Sequence, residues 1–222
     1  IESYFATKVP SIYVADGHHR TAAGALVGQE YREKANGNAQ DGGRYNYFMA
    51  VVFPDNQLKI IDYNRVVKDL NGMTESDLLK KLEASFSVEA IQGQYRPEKL
   101  HNIGMYLKGA WYKLTAKSDT YNDNDPVGVL DVTILSKQVL EPLFNIVDLR
   151  TDKRIDFVGG IRGLGELEKR VNSGEMKVAL AMYPVSMSQL INISDADLIM
   201  PPKVTWFEPK LRSGMFIHEL EV

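Results

Sequence analysis

Two short runs of β-prone residues, joined by a very short connection, constrain the fold more than any other feature of the sequence. Residues 103–107 and 110–115 are rich in apolar, aromatic and β-branched side chains, and only Lys108 and Gly109 separate them. So short a connection joins antiparallel strands, because parallel neighbours need a crossover of about a dozen or more residues. The pattern predicts an α+β protein with mixed or antiparallel sheets and flanking helices, rather than a doubly wound parallel sheet.

Other segments agree with this class. Residues 74–85 predict an amphipathic helix, in which Thr74 is the N-cap and Asp77 occupies the capping-box position. Residues 45–53 and 58–63 are both β-prone, and a turn-forming segment that begins with proline separates them. We therefore predict a second hairpin from these two runs.

The N-terminal region predicts a strand, a sharp turn and a helix in direct succession. The β-branched and aromatic residues 11–15 predict a buried strand, and residues 19–34 predict the helix. A polar stretch at residues 116–126 suggests a division of the chain. We expect a portion with hairpins at residues 1–120, and a C-terminal α+β portion at residues 121–222 packed against it.

The composition argues against several functional classes. The chain has 222 residues and no cysteine, which excludes disulfides, thiolate nucleophiles and zinc ribbons. Its formal net charge is −3, without the basic excess typical of proteins that bind nucleic acids. It has neither an apolar run long enough to span a membrane nor a recognisable signal peptide, so we expect a cytoplasmic protein. Because it begins with Ile1, we interpret it as part of a longer or processed chain.

Polar and glycine residues follow the predicted first strand directly. Gly17 permits a sharp turn, and the helix behind it exposes free N–H groups that suit a phosphate. Arg20 can add a bidentate contact to phosphate oxygens. His18 or His19 can move a proton near neutral pH, and Asp16 can accept a proton or hold a magnesium ion.

A simpler interpretation of this segment is a capped helix whose polar side chains are solvated. Metal binding by His18 and His19 is disfavoured, because adjacent helical residues point about 100° apart. We therefore predict no metal site formed by protein side chains alone. His101 and His218 are isolated in the sequence, and we interpret both as structural or surface residues.

Two later segments offer further anion donors. Lys203, Thr205 and Lys210 lie close together near the C-terminus, where the alternative is a rigid edge strand with solvated lysines. Asp156 precedes the glycine-rich residues 159–163, which could cradle an anion before a helix. For that segment, a plain strand–turn–helix is the better interpretation.

The turn at Gly17 and the helix behind it resemble a known sequence motif. Their spacing of Gly17, Arg20 and Ala23 resembles the Gly-x-x-Arg-x-x-Ala motif of the ParB/sulfiredoxin-like superfamily. Together with residues 155–160 and 200–214, the motif resembles the uncharacterised domain-of-unknown-function family 1015. The resemblance implies that the chain is the C-terminal half of a longer protein, and that a general base lies upstream of the motif.

Superfamily members use the motif to hold the phosphates of CTP, ATP or ADP, and the free-serine kinases are among them. The resemblance therefore implies Mg²⁺ and ADP or ATP as cofactors. Gly17 would supply the turn and Arg20 the phosphate contact, while Asp16 would orient a histidine or hold the metal. The implied catalytic residues are Asp16, His18 and His19, and the implied cofactor-binding residues are Gly17, Arg20, Lys203, Thr205 and Lys210.

The leading hypothesis is a nucleotide-dependent phosphotransferase that acts on a small metabolite, with free serine or phosphoserine suggested by the superfamily kinases. One alternative is a non-catalytic, nucleotide-sensing module of the ParB-like chromosome-partitioning type. Another is a metal-assisted phosphate-ester hydrolase, with Asp16, His18 and His19 as ligands. We expect a nucleotide and a small-molecule substrate as partners, and neither a membrane nor nucleic acid.

Overall fold

The computed structural model describes residues 1–34, 43–212 and 214–220. The chain divides into two compact units. The first comprises Ile1–Lys59 with Pro209–Val222, and the second comprises Ile60–Glu208. The division between residues 120 and 121 that the sequence suggests stays a prediction.

The first unit contains two helices, α1 (Glu2–Lys8) and α2 (His18–Lys34). The helix predicted over residues 19–34 is thus confirmed. Tyr31 of α2 stacks on Tyr45 of a 3₁₀ turn, with ring centroids 5.3 Å apart. Gly28 is the only buried position among residues 1–34 and 43–59, so this unit has no apolar core within the described residues.

Two predicted strands of the first unit are not formed. Residues 11–15 precede α2 without strand pairing, and residues 45–53 contain a 3₁₀ turn followed by unpaired chain. Tyr47 has extended angles, φ −123° and ψ 154°. No backbone hydrogen bond between described residues involves residues 48–53. The prediction of a hairpin here was wrong, because β-propensity becomes a strand only where a neighbour supplies backbone partners.

The second unit is built on a six-stranded antiparallel sheet, which confirms the α+β class. Along the chain, the strands are β1 (Lys59–Ile61), β2 (Tyr63–Val67), β3 (Phe86–Ile91), β4 (Asn102–Leu107), β5 (Ala110–Ala116), β6 (Ile155–Gly159), β7 (Val178–Ala181) and β8 (Trp206–Glu208). The order across the sheet is β3-β5-β4-β7-β2-β6, and each pair is antiparallel. The strands β1 and β8 form a separate two-stranded sheet.

The central hairpin is formed as predicted. Leu107 of β4 pairs with Ala110 of β5, and Lys108 and Gly109 make the turn. Both turn residues have positive φ, 49° and 86°. This conformation matches the twist of the flanking strands and explains the glycine.

Apolar side chains pack on both faces of the sheet. The second unit has four α-helices among its described residues: α3 (Glu75–Leu82), α4 (Asp131–Leu135), α5 (Leu164–Asn172) and α6 (Met187–Asp195). Ile103 and Met105 of β4 belong to a cluster with α3, α4 and α6, whereas Tyr106 belongs to a cluster with α5. Because side chains alternate along a strand, the two clusters occupy opposite faces.

The start of α3 confirms the predicted capping box. The Thr74 hydroxyl accepts the Asp77 N–H at 3.2 Å, and the Asp77 carboxylate accepts the Thr74 N–H at 3.2 Å. Leu78 and Leu82 of this helix are fully buried. The cap therefore fixes a helix on which one side of the core depends.

Replacing Thr74 with alanine is expected to lower the free energy of unfolding by about 1 kcal/mol, since an N–H of the first turn loses its acceptor. Thr74→Ser keeps the hydroxyl and should stay within a few tenths of a kcal/mol of the wild type. Urea unfolding followed by tryptophan fluorescence measures both, because the two tryptophans, Trp111 and Trp206, lie in the second unit. Equal stability of the alanine variant and the wild type would show that the cap contributes nothing.

Candidate functional site

A sharp turn precedes α2 in the first unit. Gly17 has φ +84°, where a side chain would be strained. The Gly17 N–H donates to Asp16 Oδ1 at 2.9 Å, and the Gly17 carbonyl accepts the Thr21 N–H at 2.9 Å. The turn therefore directs the chain into a 17-residue helix whose first N–H groups have no partner within the helix.

Arg20 folds back over this turn. A Cβ built on Gly17 would lie 3.4 Å from Arg20 Nη2 and 3.5 Å from Nε, so the guanidinium rests beside the glycine backbone. Arg20, His18 and His19 are all exposed. A cation thus stands at the positive end of a helix, an arrangement that attracts anions.

Lys210 reaches the same turn from the C-terminal part of this unit. Its Nζ lies 3.0 Å from Asp16 Oδ2, and both side chains are about half exposed. Burial alone would raise the pKa of Asp16, but hydrogen bonds from Lys210 and Gly17 hold it below its ordinary value. Asp16 is therefore ionised at neutral pH and pairs with Lys210. Its part in orienting a histidine stays a prediction.

Of the eight residues expected to form the site, the structure brings six together around this turn. These six are Asp16, Gly17, His18, His19, Arg20 and Lys210. Lys203 and Thr205 lie in the second unit, and their part in a phosphate site stays a prediction.

Lys203 has a structural role in the second unit. It adopts φ +57°, and its carbonyl accepts a hydrogen bond from Arg65 Nη2 at 3.0 Å. Its ammonium nitrogen lies 5.9 Å from the centroid of the Tyr63 ring. Thr205 is half-buried beside the buried Val204.

The glycines at 159 and 160 are explained by close packing. A Cβ on Gly159 would lie 2.7 Å from the Trp206 ring, and one on Gly160 would lie 2.3 Å from Asp62 Oδ1. Asp156 accepts a hydrogen bond from Arg170 at 2.6 Å. These contacts favour the plain strand–turn–helix interpretation over an anion cradle.

Two further polar clusters lie in the second unit and were missed from the sequence. Arg65 is 1% exposed in the sheet, and Asp131 is 3% exposed beside His101. The local sequence does not indicate either cluster, because Arg65 is a single arginine in a strand and His101 lies 30 positions from Asp131. Only the sheet register and the start of α4 reveal them.

The described residues contain no group of three or more histidine, aspartate or glutamate side chains that could hold a metal ion. At the turn before α2, Asp16 is the only carboxylate among the six residues, and both its oxygens have partners. These donors do not fit a resident Mg²⁺ ion. They also do not favour the three-ligand hydrolase site of Asp16, His18 and His19.

No helix in the described ranges combines the length and the apolar character needed to cross a membrane. No curated protein matches the chain. A free serine kinase in complex with AMP is structurally similar, with a TM-score of 0.40 and 12% identity over 93% of this chain and 76% of that one. A mutant free serine kinase in complex with ADP gives a TM-score of 0.39 and 14% identity, over 93% of this chain and 77% of that chain.

A conserved hypothetical protein from Pyrococcus furiosus is similar at a TM-score of 0.40 and 14% identity, covering 93% of this chain and 79% of that chain. All three are distant similarities. At the sequence level, the family described as "Protein of unknown function (DUF1015)" matches residues 1–133. That range includes the turn before α2, whereas residues 155–160 and 200–214 lie outside it. The match covers more than half of the 222 residues, and the chain therefore belongs to the DUF1015 family.

Proposed function

We propose that the protein is a nucleotide-dependent phosphotransferase, and that it binds nucleotide phosphates at the turn before α2. The observation that carries the proposal is the position of Arg20, whose guanidinium lies against Gly17 at the start of a 17-residue helix. Free N–H groups, a helix dipole and a guanidinium converge there, and each favours a phosphate.

Lys210 strengthens the same proposal. Its ammonium group is held 3.0 Å from Asp16, at the residue that precedes the turn. A nucleotide phosphate bound at the turn would compete with Asp16 for Lys210. Arg20 and Lys210 together would then neutralise the negative charge of the phosphate. His18 or His19, both exposed in the first turn of α2, would donate to the transferred group or to its leaving oxygen.

The nucleotide and the substrate class rest on the motif. The resemblance of Gly17, Arg20 and Ala23 to the ParB/sulfiredoxin-like motif supports ADP, ATP or CTP as the phosphate source. The same resemblance supports a small hydroxyl-bearing metabolite as acceptor, and free serine is the first to test. Phosphoserine, whose hydroxyl already carries a phosphate, would serve as the donor to ADP in the reverse reaction. Mg²⁺ would arrive with the nucleotide, because the donors at the turn do not form a site of their own. We place this reaction in the cytoplasm.

Calorimetric titration of the protein with ADP, ATP and CTP, each with Mg²⁺, tests the proposal. Micromolar binding of at least one nucleotide is expected, and Arg20→Ala should weaken it by about tenfold or more, a loss of about 1.4 kcal/mol or more. Arg150→Ala is the matched control, since it removes an exposed arginine of the second unit that pairs only with Asp148 in the described structure. It should bind as the wild type does.

Two outcomes would overturn the proposal. If a folded sample bound no nucleotide, the proposed nucleotide dependence would be wrong. If Arg20→Ala and Arg150→Ala bound nucleotide with equal affinity, the proposed phosphate site at the turn would be wrong. If binding follows Arg20, incubation with serine and ATP, or with phosphoserine and ADP, tests for phosphate transfer. Binding without transfer to any acceptor would favour the nucleotide-sensing alternative.

A further inference from the structure

One residue contacts both ends of a loop in the second unit. The loop of residues 121–131 connects the end of a 3₁₀ turn to the start of α4. At its first residue, the Tyr121 ring stacks on His101, with ring centroids 3.9 Å apart and planes 15° from parallel. At its last residue, Asp131 Oδ1 accepts the His101 N–H at 2.8 Å and lies 3.3 Å from His101 Nδ1. His101 therefore contacts both ends of the loop, and we call the pair of His101 and Asp131 the clamp.

The loop between these contacts is internally hydrogen-bonded. Asp125 Oδ1 accepts the N–H groups of Val127 and Gly128 at 3.0 and 2.8 Å, and the Asp125 carbonyl accepts the Val129 N–H at 2.9 Å. Leu130 is fully buried in the core. The C-terminal end is therefore anchored by Leu130 and Asp131, whereas at the N-terminal end Tyr121 stacks on His101 and packs partly against the core.

The loop forms one wall of a cavity of about 300 Å³. Its lining residues from the loop are Asp123, Asn124, Pro126 and Val129, and those from α6 are Gln189 and Asn192. Release of the N-terminal end would displace the wall that carries Asp123 and Asn124. Opening of the clamp would therefore change the shape of this cavity.

Buried polar atoms of the clamp and of the adjoining α4 are not satisfied. Among the described residues, His101 Nδ1, Asp131 Oδ2 and Thr133 Oγ1 are buried and have no hydrogen-bond partner. His101 also has φ +67°, a costly conformation for a residue with a side chain. Such an arrangement persists only while the surrounding contacts hold it.

Few charged groups affect the pKa values of His101 and Asp131. Burial raises the pKa of Asp131 to about 7, while the His101 N–H acts in the opposite direction. Burial lowers the pKa of His101, and the Asp123 carboxylate partly opposes this. Asp125 is engaged within the loop, and Lys137 acts on Asp125 rather than on the pair.

We propose that His101 and Asp131 form a proton-controlled clamp that holds the loop of residues 121–131 and the cavity wall it carries. A proton on Asp131 keeps the pair neutral and the clamp closed. Loss of that proton leaves a buried carboxylate whose Oδ2 has no donor, a charge that only solvent can stabilise. The N-terminal end of the loop then lifts, and Tyr121 leaves the His101 ring. This proposal is independent of the phosphate site.

The direction of the pH effect follows from the carboxyl group. The folded pKa of Asp131, about 7, lies above the ordinary 3.8, so the folded state keeps a proton that the unfolded chain releases. This contribution to stability is complete below pH 3.8 and is lost as the pH rises to about 7. His101, with a lowered pKa, acts oppositely below its ordinary 6.5, so the interval from pH 6.5 to 8 isolates Asp131.

Nuclear magnetic resonance of the whole chain between pH 5.5 and 9 provides the test. The assigned ring signals of Tyr121 and His101 should change together, with a midpoint near pH 7. Protection of the His101 N–H from solvent exchange, corrected for the intrinsic pH effect, should fall by about two- to fourfold from pH 6.5 to pH 8, equivalent to about 0.4–0.8 kcal/mol of local opening.

Asp131→Asn keeps an acceptor for the His101 N–H but cannot ionise, so it should stay closed and protected up to pH 9. Asp148→Asn, which removes an exposed carboxylate of the same unit, should titrate as the wild type does. Tyr121→Leu should be open at every pH. Constant stacking and protection in the wild type would overturn the proposal, even if Asp131→Asn did not fold, and so would an unchanged pH dependence in Asp131→Asn.

Discussion

Replacing Arg65 with alanine is expected to lower the free energy of unfolding of the second unit by about 2–5 kcal/mol, because it leaves a cavity and removes the donor of two carbonyl groups. Arg65 lies in β2 between β6 and β7, opposite Phe157 and Leu180. Only 1% of its surface is exposed. The alanine variant would therefore leave a cavity in the sheet as well as remove a charge.

The guanidinium is held by carbonyl groups rather than by a carboxylate. Nη1 donates to the Tyr63 carbonyl, and Nη2 donates to the Lys203 carbonyl at 3.0 Å. Its central carbon lies 5.7 Å from the centroid of the Phe157 ring. Burial lowers the pKa of Arg65 to about 10, and the group stays charged at neutral pH. Without Arg65, two carbonyls lose their donor, at a cost of about 1–3 kcal/mol for each that stays buried.

Two further variants separate charge from volume. Arg65→Met keeps much of the volume and removes the buried charge, so it should cost less than Arg65→Ala. Arg150→Ala removes an exposed arginine and should stay within about 0.5 kcal/mol of the wild type. Urea unfolding followed by Trp111 and Trp206 fluorescence compares all three, since both rings lie in this unit. A loss below 1 kcal/mol for Arg65→Ala would show that the buried contacts contribute little.

Arg65 also shows why parts of the fold escape a sequence analysis. An arginine between Asn64 and Val66 has the pattern of a strand with one solvated face. Both faces of this strand are in fact covered, because β2 lies inside the sheet and helices pack on the two sides. The central hairpin and the α3 cap, by contrast, were predictable from residues that touch within a few positions.

The first unit shows the opposite kind of difference. Residues 11–15 and 45–53 have strong β-propensity, yet no described backbone group pairs with residues 48–53. Propensity states which conformation suits a side chain, whereas a strand needs a partner that the local sequence does not specify. The same argument explains why the helix at 18–34 was predictable, since its hydrogen bonds are internal.

The candidate site likewise combines local features that the sequence predicts with a long-range contact that it does not predict. The turn at Gly17 and the nearby Arg20 follow from consecutive residues and were expected. The ion pair of Asp16 with Lys210 joins positions that are 194 apart, so no local pattern assigns it. The clamp of His101 and Asp131 likewise depends on the placement of α4 against the turn before β4. Local chemistry is therefore predictable here, and long-range pairing is not.

Replacing Gly160 with alanine is the second substitution with a large expected effect, about 2–4 kcal/mol of destabilisation. A Cβ at this position would lie 2.3 Å from Asp62 Oδ1 and 2.4 Å from Asp62 Cγ. Real Cβ atoms do not approach other atoms so closely. Either the carboxylate or the backbone of residues 159–160 must move.

The carboxylate cannot move cheaply. Asp62 is 5% exposed, and its Oδ1 accepts from Arg96 at 2.8 Å while its Oδ2 accepts from Asn64 at 2.7 Å. The Gly160 N–H itself donates to the Asp62 carbonyl at 2.7 Å, which fixes the two backbones. A shift of either group therefore breaks hydrogen bonds to a buried charge, and breaking such contacts is costly.

Gly165→Ala is the matched control, because it makes the same chemical change five residues later. Gly165 lies in α5, and a Cβ there would meet no atom within 4 Å. Alanine has the higher helix propensity, so this variant should be more stable than the wild type by about 0.5–1 kcal/mol. Urea unfolding of both variants then gives changes of opposite sign. If Gly160→Ala were as stable as Gly165→Ala, close packing could not be the reason for the glycine, and the anion-cradle interpretation of residues 159–163 would regain its place.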